Sequence, residues 1–416
     1  MTKTSVVFFL LITVVWAEVF DKIERRRGQY LTAPGYFVAP APYALPGIGT
    51  GMMVVGMANN IYDTQTDVLA DVIEGDVGGY GFAVTDWYLI ERHLKFEMLH
   101  SYFDKASMQS YGSRGMESKK DDYVLVSVDE MEFTGLRATA SFFDKMLEFY
   151  SMAYLANFRL DSIRNKDGDL LLKASDIGSQ DTKFYIFGMM ADYTDDRLDP
   201  RKGIRFDTSL DYSPPNGNEG ADFYQHNYNL TAYIPVGKRS TWVLNYYRSD
   251  ANVLKEGETD YDTLAENMGL DCSALTDPGE RRDCESVINN SLIANKYGSA
   301  TSLGGRSRLR SYPEGRFSGA HTQFYGTEFR WNLTEEMTPF DIGFMKDIRT
   351  GIQVAFFYER GSVAEKIGEL NQNERYSYGT GVRMVTASGL VYRLDGATGD
   401  EGFEMTVIIN YPWEIF

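Results

Sequence analysis

Three arginines alternate just after a pair of glycines, and two glutamates follow in the next part of the chain. In an extended backbone Arg306, Arg308 and Arg310 point to one side. A cluster of guanidinium groups needs counter-charges when it enters a confined space, and Arg–carboxylate pairs supply them. Glu328 and Glu359 can be those partners, so the pattern predicts ion pairing rather than catalysis. The alternative is that the arginines stay outside and meet anionic lipid or solvent.

Other reactive residue types are scarce. The chain has four His and two Cys, no His pair with ligand spacing and no Gly-x-Ser-x-Gly motif. We therefore predict no catalytic set, no metal site, no cofactor and no enzymatic activity. The 59 acidic residues outnumber the 41 basic ones and give a net charge of -18, which argues against a nucleic-acid partner.

The first residues have the features of an export signal. Lys3 precedes an apolar run over 6–15, and Ala17 is a small residue at the expected cleavage point. We predict a signal peptide over 1–17, with a short membrane anchor as the alternative. Residues 18–48 are rich in proline and predict an extended periplasmic lead-in. The arginines of 24–27 are expected to form a solvated face, with a lipid or partner contact as the alternative.

The rest of the 416-residue chain alternates apolar and polar residues with a period of two. After Gly351, one face carries Ile352, Val354, Phe356 and Tyr358, and the other carries Gln353, Ala355, Phe357 and Glu359. Segments of about ten residues with this pattern indicate a transmembrane barrel. A soluble β-sandwich also alternates, but aromatic outer faces and charged inner faces favour a membrane barrel. We predict an all-β, antiparallel outer-membrane β-barrel over 49–416, with about 14–16 strands.

Fourteen strands can be placed from this pattern, and the long second and fourth could conceal more. They are 49–60, 64–85, 92–104, 123–138, 146–160, 181–195, 203–213, 223–235, 240–250, 321–333, 350–361, 374–386, 389–397 and 402–413. In the last of these, Tyr411 and Trp413 continue the apolar outer face.

The longest linker covers 251–321 and predicts an extracellular loop. It contains Cys272 and Cys284, which in an exported protein favour a disulfide; two free thiols are the alternative.

Several stretches between about 190 and 413 resemble the BamA/TamA superfamily of outer-membrane proteins, also called the bacterial surface antigen family. Residues 194–203 resemble its Asp-Pro-x-x-Gly periplasmic turn. Residues 303–312 resemble its inward-folded loop, with Leu-Arg-Ser-Tyr at a tip that reads Val-Arg-Gly-Phe or Tyr in the family. Residues 357–361 resemble its Phe-x-Asp-x-Gly strand motif, with Glu in place of Asp, and Glu328 stands where the family has an inward Glu.

The resemblance implies sixteen strands in the bacterial outer membrane and a loop docked in the lumen, with Arg310 on Glu328 and Glu359. Ser311 replaces the usual Gly at the tip. The expected docking set is Arg306, Arg308, Arg310, Tyr312, Glu328, Phe357, Glu359 and Gly361.

The resemblance also implies two functional hypotheses. Superfamily members that assemble barrels or export proteins carry periplasmic POTRA domains, but only about thirty residues separate Ala17 from the first expected strand. We therefore expect a separate POTRA-containing or other periplasmic partner, with outer-membrane lipids around the barrel. The first hypothesis is protein or lipid insertion or translocation through a weak seam between the first and last strands, where Pro412 interrupts the last strand. The alternative is a passive pore or a structural, surface-exposed barrel.

Overall fold

A closed, antiparallel β-barrel of sixteen strands forms the protein, in a computed structural model that describes residues 23–30, 34–173, 180–215, 220–342, 345–386 and 391–413. Each wall strand pairs with its neighbours in sequence, and β1 also pairs with β16 to close the wall. The strands are β1 Gly35–Leu45, β2 Gly49–Asn59, β3 Asp67–Gly75, β4 Gly78–Ile90, β5 Leu94–Tyr111, β6 Tyr123–Phe142, β7 Leu147–Arg164, β8 Gln180–Thr194, β9 Gly203–Tyr212, β10 Asp222–Val236, β11 Ser240–Lys255, β12 His321–Asn332, β13 Thr350–Ala364, β14 Arg375–Thr386, β15 Val391–Gly399 and β16 Gly402–Ile409.

Three shorter strands lie outside the wall. Leu170–Lys173 pairs with the end of β7, and Phe340–Ile342 pairs with Met345–Ile348 in a small hairpin between β12 and β13. Among the described residues, no helix combines the length and the apolar character needed to cross a bilayer.

The period-two pattern sorts side chains between the two faces of the wall, as predicted. In β11, Trp242 and Leu244 are 49% and 41% exposed on the outer face, whereas Val243 and Asn245 are buried in the lumen. A closed barrel leaves no unpaired edge, so its backbone can cross a membrane with every hydrogen bond satisfied internally. The predicted fold class is therefore confirmed.

The two ends of the barrel differ. At the end that we call the turn end, short connections such as 143–146 and 237–239 lie beside the described start and finish of the chain. The opposite end, the loop end, carries the longest connection, 256–320. Two helices form in that loop, α1 Tyr261–Asn267 and α2 Pro278–Tyr297, and a disulfide joins Cys272 to Cys284.

Two sequence predictions about strands need correction. The barrel begins at Gly35 and not at 49, because the proline-containing segment that was expected to be a lead-in is β1. The expected strand 64–85 is two strands, β3 and β4, joined by a tight connection. These two additions raise the fourteen expected segments to sixteen. The expected signal peptide, 1–17, lies outside the described residues.

Candidate functional site

The end of the long loop folds into the barrel as a compact hairpin. Leu303 and Phe317 pair across its base through two backbone hydrogen bonds, and both side chains are fully buried. Gly304 has a φ of +108°, and a Cβ there would lie 2.2 Å from the carbonyl oxygen of Pro313. Only glycine fits such a position, so the glycine pair makes the reversal that brings the tip into the lumen.

The tip turn does not need glycine at position 311. The left-handed residue is Leu309, with a φ of +53°, and its carbonyl accepts a hydrogen bond from the N–H of Tyr312. Ser311 is buried, and its N–H donates to the hydroxyl of Ser377 on β14. The serine at this position is therefore compatible with a turn whose strain falls two residues earlier.

Arg310 lies at the centre of a buried cluster of carboxylates. Its Nε is 2.9 Å from Glu359 Oε1, its Nη1 is 2.6 Å from Asp395 Oδ2 and its Nη2 is 3.2 Å from Glu328 Oε2. Its backbone N–H also donates to Glu359, at 2.9 Å. The guanidinium plane stacks on Phe357, 3.4 Å from the ring centroid. All four charged side chains are fully buried, so the tip is held by charge-assisted bonds in the interior of the barrel.

Three further arginines balance these carboxylates. Arg330 and Arg383 each lie 2.7 Å from Glu328, and Arg393 lies 3.2 Å from Asp395. Glu359 differs from the other two carboxylates, since among the described residues its one ion pair is with Arg310. Four guanidinium groups thus face three carboxylates, and Glu359 has fewer arginine partners than Glu328 or Asp395.

The other two loop arginines are placed differently from expectation. The tip is a turn and not an extended segment, so the three alternating arginines do not share one side. Arg306 is exposed, and its backbone carbonyl accepts a hydrogen bond from Arg393. Arg308 is buried and stacks on Tyr247, 3.5 Å from the ring centroid.

The two remaining residues of the expected docking set, Tyr312 and Gly361, lie where the loop meets the wall. Tyr312 donates to the carbonyl of Tyr376 and packs edge-on against Phe317. A Cβ on Gly361 would lie 2.6 Å from a methyl carbon of Leu303. Glycine at that position of β13 therefore lets the loop approach the wall.

The last described residues also enter the lumen, contrary to the sequence prediction of an outward face. After β16 ends, Asn410 adopts a φ of +121°, and Tyr411 and Trp413 are buried. Trp413 Nε1 donates to Glu359, at 3.0 Å, and its carbonyl accepts from Asn229 of β10. We call residues 410–413 the C-terminal tail.

Sequence reasoning missed Asp395, Arg330, Arg383, Arg393 and Trp413 as members of this cluster. Arg393 and Asp395 are two residues apart on β15, so the same alternation could have placed both in the lumen. No comparable local signal exists for Trp413, because its position depends on the turn at Asn410.

The comparisons with known proteins agree with this architecture. The Omp85 superfamily domain matches residues 90–269. The match agrees with the predicted resemblance, although it covers less than half of the chain and begins well before the stretch 190–413 that showed the resemblance. No curated protein matches the sequence.

Two solved structures are similar over most of the chain. CdiB from Escherichia coli has a TM-score of 0.52 and 10% identity, covering 92% of this chain and 68% of its own. BamA from Haemophilus ducreyi lacking POTRA domains 1–3 has a TM-score of 0.48 and 12% identity, covering 98% of this chain and 78% of its own. The barrel lies in the bacterial outer membrane. Short turns of such barrels face the periplasm, so the turn end is the periplasmic end.

Proposed function

We propose that this Omp85-type outer-membrane barrel assists the insertion or translocation of protein or lipid by opening sideways between β1 and β16. A periplasmic partner supplies the domain that receives the substrate. The mechanism is physical and not chemical: the wall separates at its weakest junction, and the lumen then opens toward the membrane. The observation that carries the proposal is the pairing of β1 with β16.

The seam between β1 and β16 has far fewer aligned residues than its neighbours. Ala44 and Val407 are the single aligned pair among the described residues, whereas β1 and β2 align eleven pairs and β15 and β16 align eight. Each net backbone hydrogen bond is worth about 0.5–1.5 kcal/mol. The seam is therefore the junction of the wall that costs least to open.

Two prolines explain the short pairing on the β1 side. Thr50 of β2 directs both its N–H and its C=O toward Asp76 at the end of β3. Its partner across β1 is Ala44, so Ala44 directs its own polar groups the other way, toward β16. Pro40 and Pro42 have the same parity as Ala44 and point to the same edge. Since proline has no N–H, this edge lacks two donors.

β16 leaves the sheet at the place where β1 lacks these donors. Continuing the register of Ala44 and Val407 would set Ile409 opposite Pro42 and Tyr411 opposite Pro40. The strand ends at Ile409, and the C-terminal tail turns into the lumen where β1 offers no donors. Loss of pairing on one strand and departure of the other thus coincide.

The last strand of the seam, β16, is also short. β16 has eight residues, whereas β6 has twenty. Eight residues rise ~26 Å along a strand, which a tilt of ~40° reduces to ~20 Å across the membrane, against an apolar band of ~25 Å. A short wall at the seam favours disturbed lipid packing there, which supports exchange with the membrane.

The occupied lumen weighs against the alternative of a passive pore. The loop tip, the C-terminal tail and the Arg310 cluster all lie inside the wall between β10 and β15. Such a plug suits a barrel that must stay closed until its seam opens better than a channel for solutes.

A disulfide lock across the seam tests the proposal. Ala44→Cys with Val407→Cys would join the aligned pair, and Ala397→Cys with Glu404→Cys would join β15 to β16 as the matched control. In cells depleted of the wild-type protein, we expect the control to restore the levels of other outer-membrane barrels and surface lipids. The seam lock should restore them only after reduction. Full restoration by the oxidised seam lock would refute lateral opening, and unaltered levels on depletion together with lost solute conductance would favour the passive pore.

A further inference from the structure

An arginine segment lies across the periplasmic end of the barrel instead of facing solvent as expected. We call residues 23–30 the strap. Arg25 Nη1 donates to the carbonyl of Thr194, at 2.8 Å, and the N–H of Arg26 donates to the carbonyl of Asp195, at 2.7 Å. Arg27 donates to the carboxylate of Asp196. The segment is thus fixed through both backbone and side chains.

The strap spans a large part of the barrel mouth. Its bonds to 195–202 lie at the turn between β8 and β9, halfway around a wall of sixteen strands from β1. Along the way Tyr30 donates to the carbonyl of Arg92, in the turn after β4, and its ring lies 4.7 Å from the ammonium of Lys145, in the turn after β6. Arg26 also reaches Glu336, beyond β12, at 2.8 Å.

Asp199 joins the strap to the C-terminal tail. Its carboxylate is buried and accepts from Arg26 Nη2 at 3.0 Å, from Arg201 Nε at 3.0 Å and from the hydroxyl of Tyr411 at 2.7 Å. Arg26 belongs to the segment that leads into β1, and Tyr411 follows two residues after β16 ends. One carboxylate therefore holds the extensions of both seam strands.

The charges around Asp199 favour this arrangement. Burial raises the pKa of its carboxyl, but the guanidinium groups of Arg201 and Arg26 outweigh that effect and leave the pKa below its ordinary value. Arg330 stacks on the ring of Tyr411, 4.1 Å from the centroid. The carboxylate stays ionised and the phenol stays positioned to donate to it.

We propose that Asp199 is a clasp that holds the seam closed by binding the strap before β1 and the tail after β16 at once. Release of Arg26 frees the β1 side, and release of Tyr411 frees the β16 side. This inference rests on the proposed seam, because it assigns to the periplasmic end the contact that controls opening.

Cross-linking of purified protein tests the clasp without any measurement of activity. Ala44→Cys with Val407→Cys reports on seam closure through its rate of disulfide formation. The rate is measured at the urea concentration that halves the wild-type rate, where the seam is open in about half of the molecules. There, a fivefold shift of the closing equilibrium, equivalent to ~1 kcal/mol, should make Arg26→Gln, Tyr411→Phe and Asp199→Asn each slow that rate about threefold. The control is Arg159→Gln on β7, which removes exposed pairs with Asp129 and Glu130 of β6 and should leave the rate unchanged.

Further variants separate the clasp from a general loss of structure. Adding Tyr411→Phe to Asp199→Ala should slow the rate no further than Asp199→Ala alone, since the hydroxyl of Tyr411 donates to that carboxylate. Arg26→Lys, which keeps the charge, should fall between wild type and Arg26→Gln and serves if the glutamine variant does not fold.

The possible failures are distinguishable. A rate for Arg26→Gln equal to that of Arg159→Gln would overturn the clasp and leave the proposed function standing. An active seam-locked protein would overturn the proposed function and leave the cross-linking result intact.

Discussion

Removing the guanidinium group of Arg310 should destabilise the barrel, and most of the lost stability should come from one carboxylate, Glu359. Glu328 keeps Arg330 and Arg383, and Asp395 keeps Arg383 and Arg393. Glu359 keeps the N–H of Trp413 and the backbone N–H of residue 310, but no cation, among its described partners. A buried ion pair that loses one partner costs about 3–5 kcal/mol. We expect Arg310→Ala to cost about 3 kcal/mol, the low end of that range, because two of the three carboxylates remain paired.

Second-site changes reveal where that cost lies. In the Arg310→Ala background, Glu359→Gln removes the unpaired charge and keeps an acceptor for Trp413, so it should recover most of the lost stability. Glu328→Gln should recover none, because it would leave Arg330 and Arg383 without their shared carboxylate.

The measurement is the temperature at which the folded barrel converts to the unfolded band on a gel, supported by unfolding in denaturant. Arg306→Ala is the matched control, since Arg306 is an exposed arginine of the same loop. Equal rescue by Glu359→Gln and Glu328→Gln would show that the cluster behaves as a diffuse charge pool, and the reasoning from individual partners would be wrong. An unchanged transition in Arg310→Ala would rule out a docked loop tip.

Three other outcomes follow from the geometry. Replacing Pro42 with valine restores a donor opposite Ile409, the last residue of β16, worth about 0.5–1.5 kcal/mol; cross-linking between β1 and β16 under the same urea conditions should speed up, and an unchanged rate would contradict the assignment of that edge. Gly361→Ala puts a Cβ 2.6 Å from a buried leucine of the loop and should cost about 1–3 kcal/mol in denaturant unfolding, whereas Gly368→Ala meets open space and should cost little. Because the folded pKa of Asp199 is below its ordinary 3.8, its contribution is complete above that pH and is lost as the pH falls through the folded value; heat resistance measured from pH 7 to pH 3 should depend on pH less in Asp199→Asn than in wild type.

The alternation of residues predicts most of the wall, because the orientation of a side chain in a strand depends on parity alone. The same reasoning missed β1, where Pro40 and Pro42 read as an extended lead-in. In an ordinary wall strand those prolines would each remove a ladder bond. They are tolerated here because their nitrogens face the seam. The sequence thus departs from the usual avoidance of proline in paired strands at the place where the proposed function needs a weak junction.

The parts of the site that the sequence could not predict depend on contacts between distant segments. The strap reaches Thr194 across 169 positions of the chain, and nothing near Arg25 indicates that partner. Trp413 reaches Glu359 only because the tail leaves the sheet at Asn410. The glutamates of the docking cluster were accessible to sequence reasoning, since their inward orientation follows from strand parity.

The C-terminal tail connects the clasp at Asp199 with the cluster around Arg310. Tyr411 bonds to the clasp at the periplasmic end, and Trp413, two residues further, bonds to the carboxylate that also holds Arg310. Residues that could have extended β16 along β1 are therefore already stabilised inside the lumen. Opening the seam then requires separating one aligned pair and not a full ladder, while closure is maintained by the clasp and the docked loop. A barrel arranged in this way can keep its plug in place and still have a low barrier at one junction of its wall.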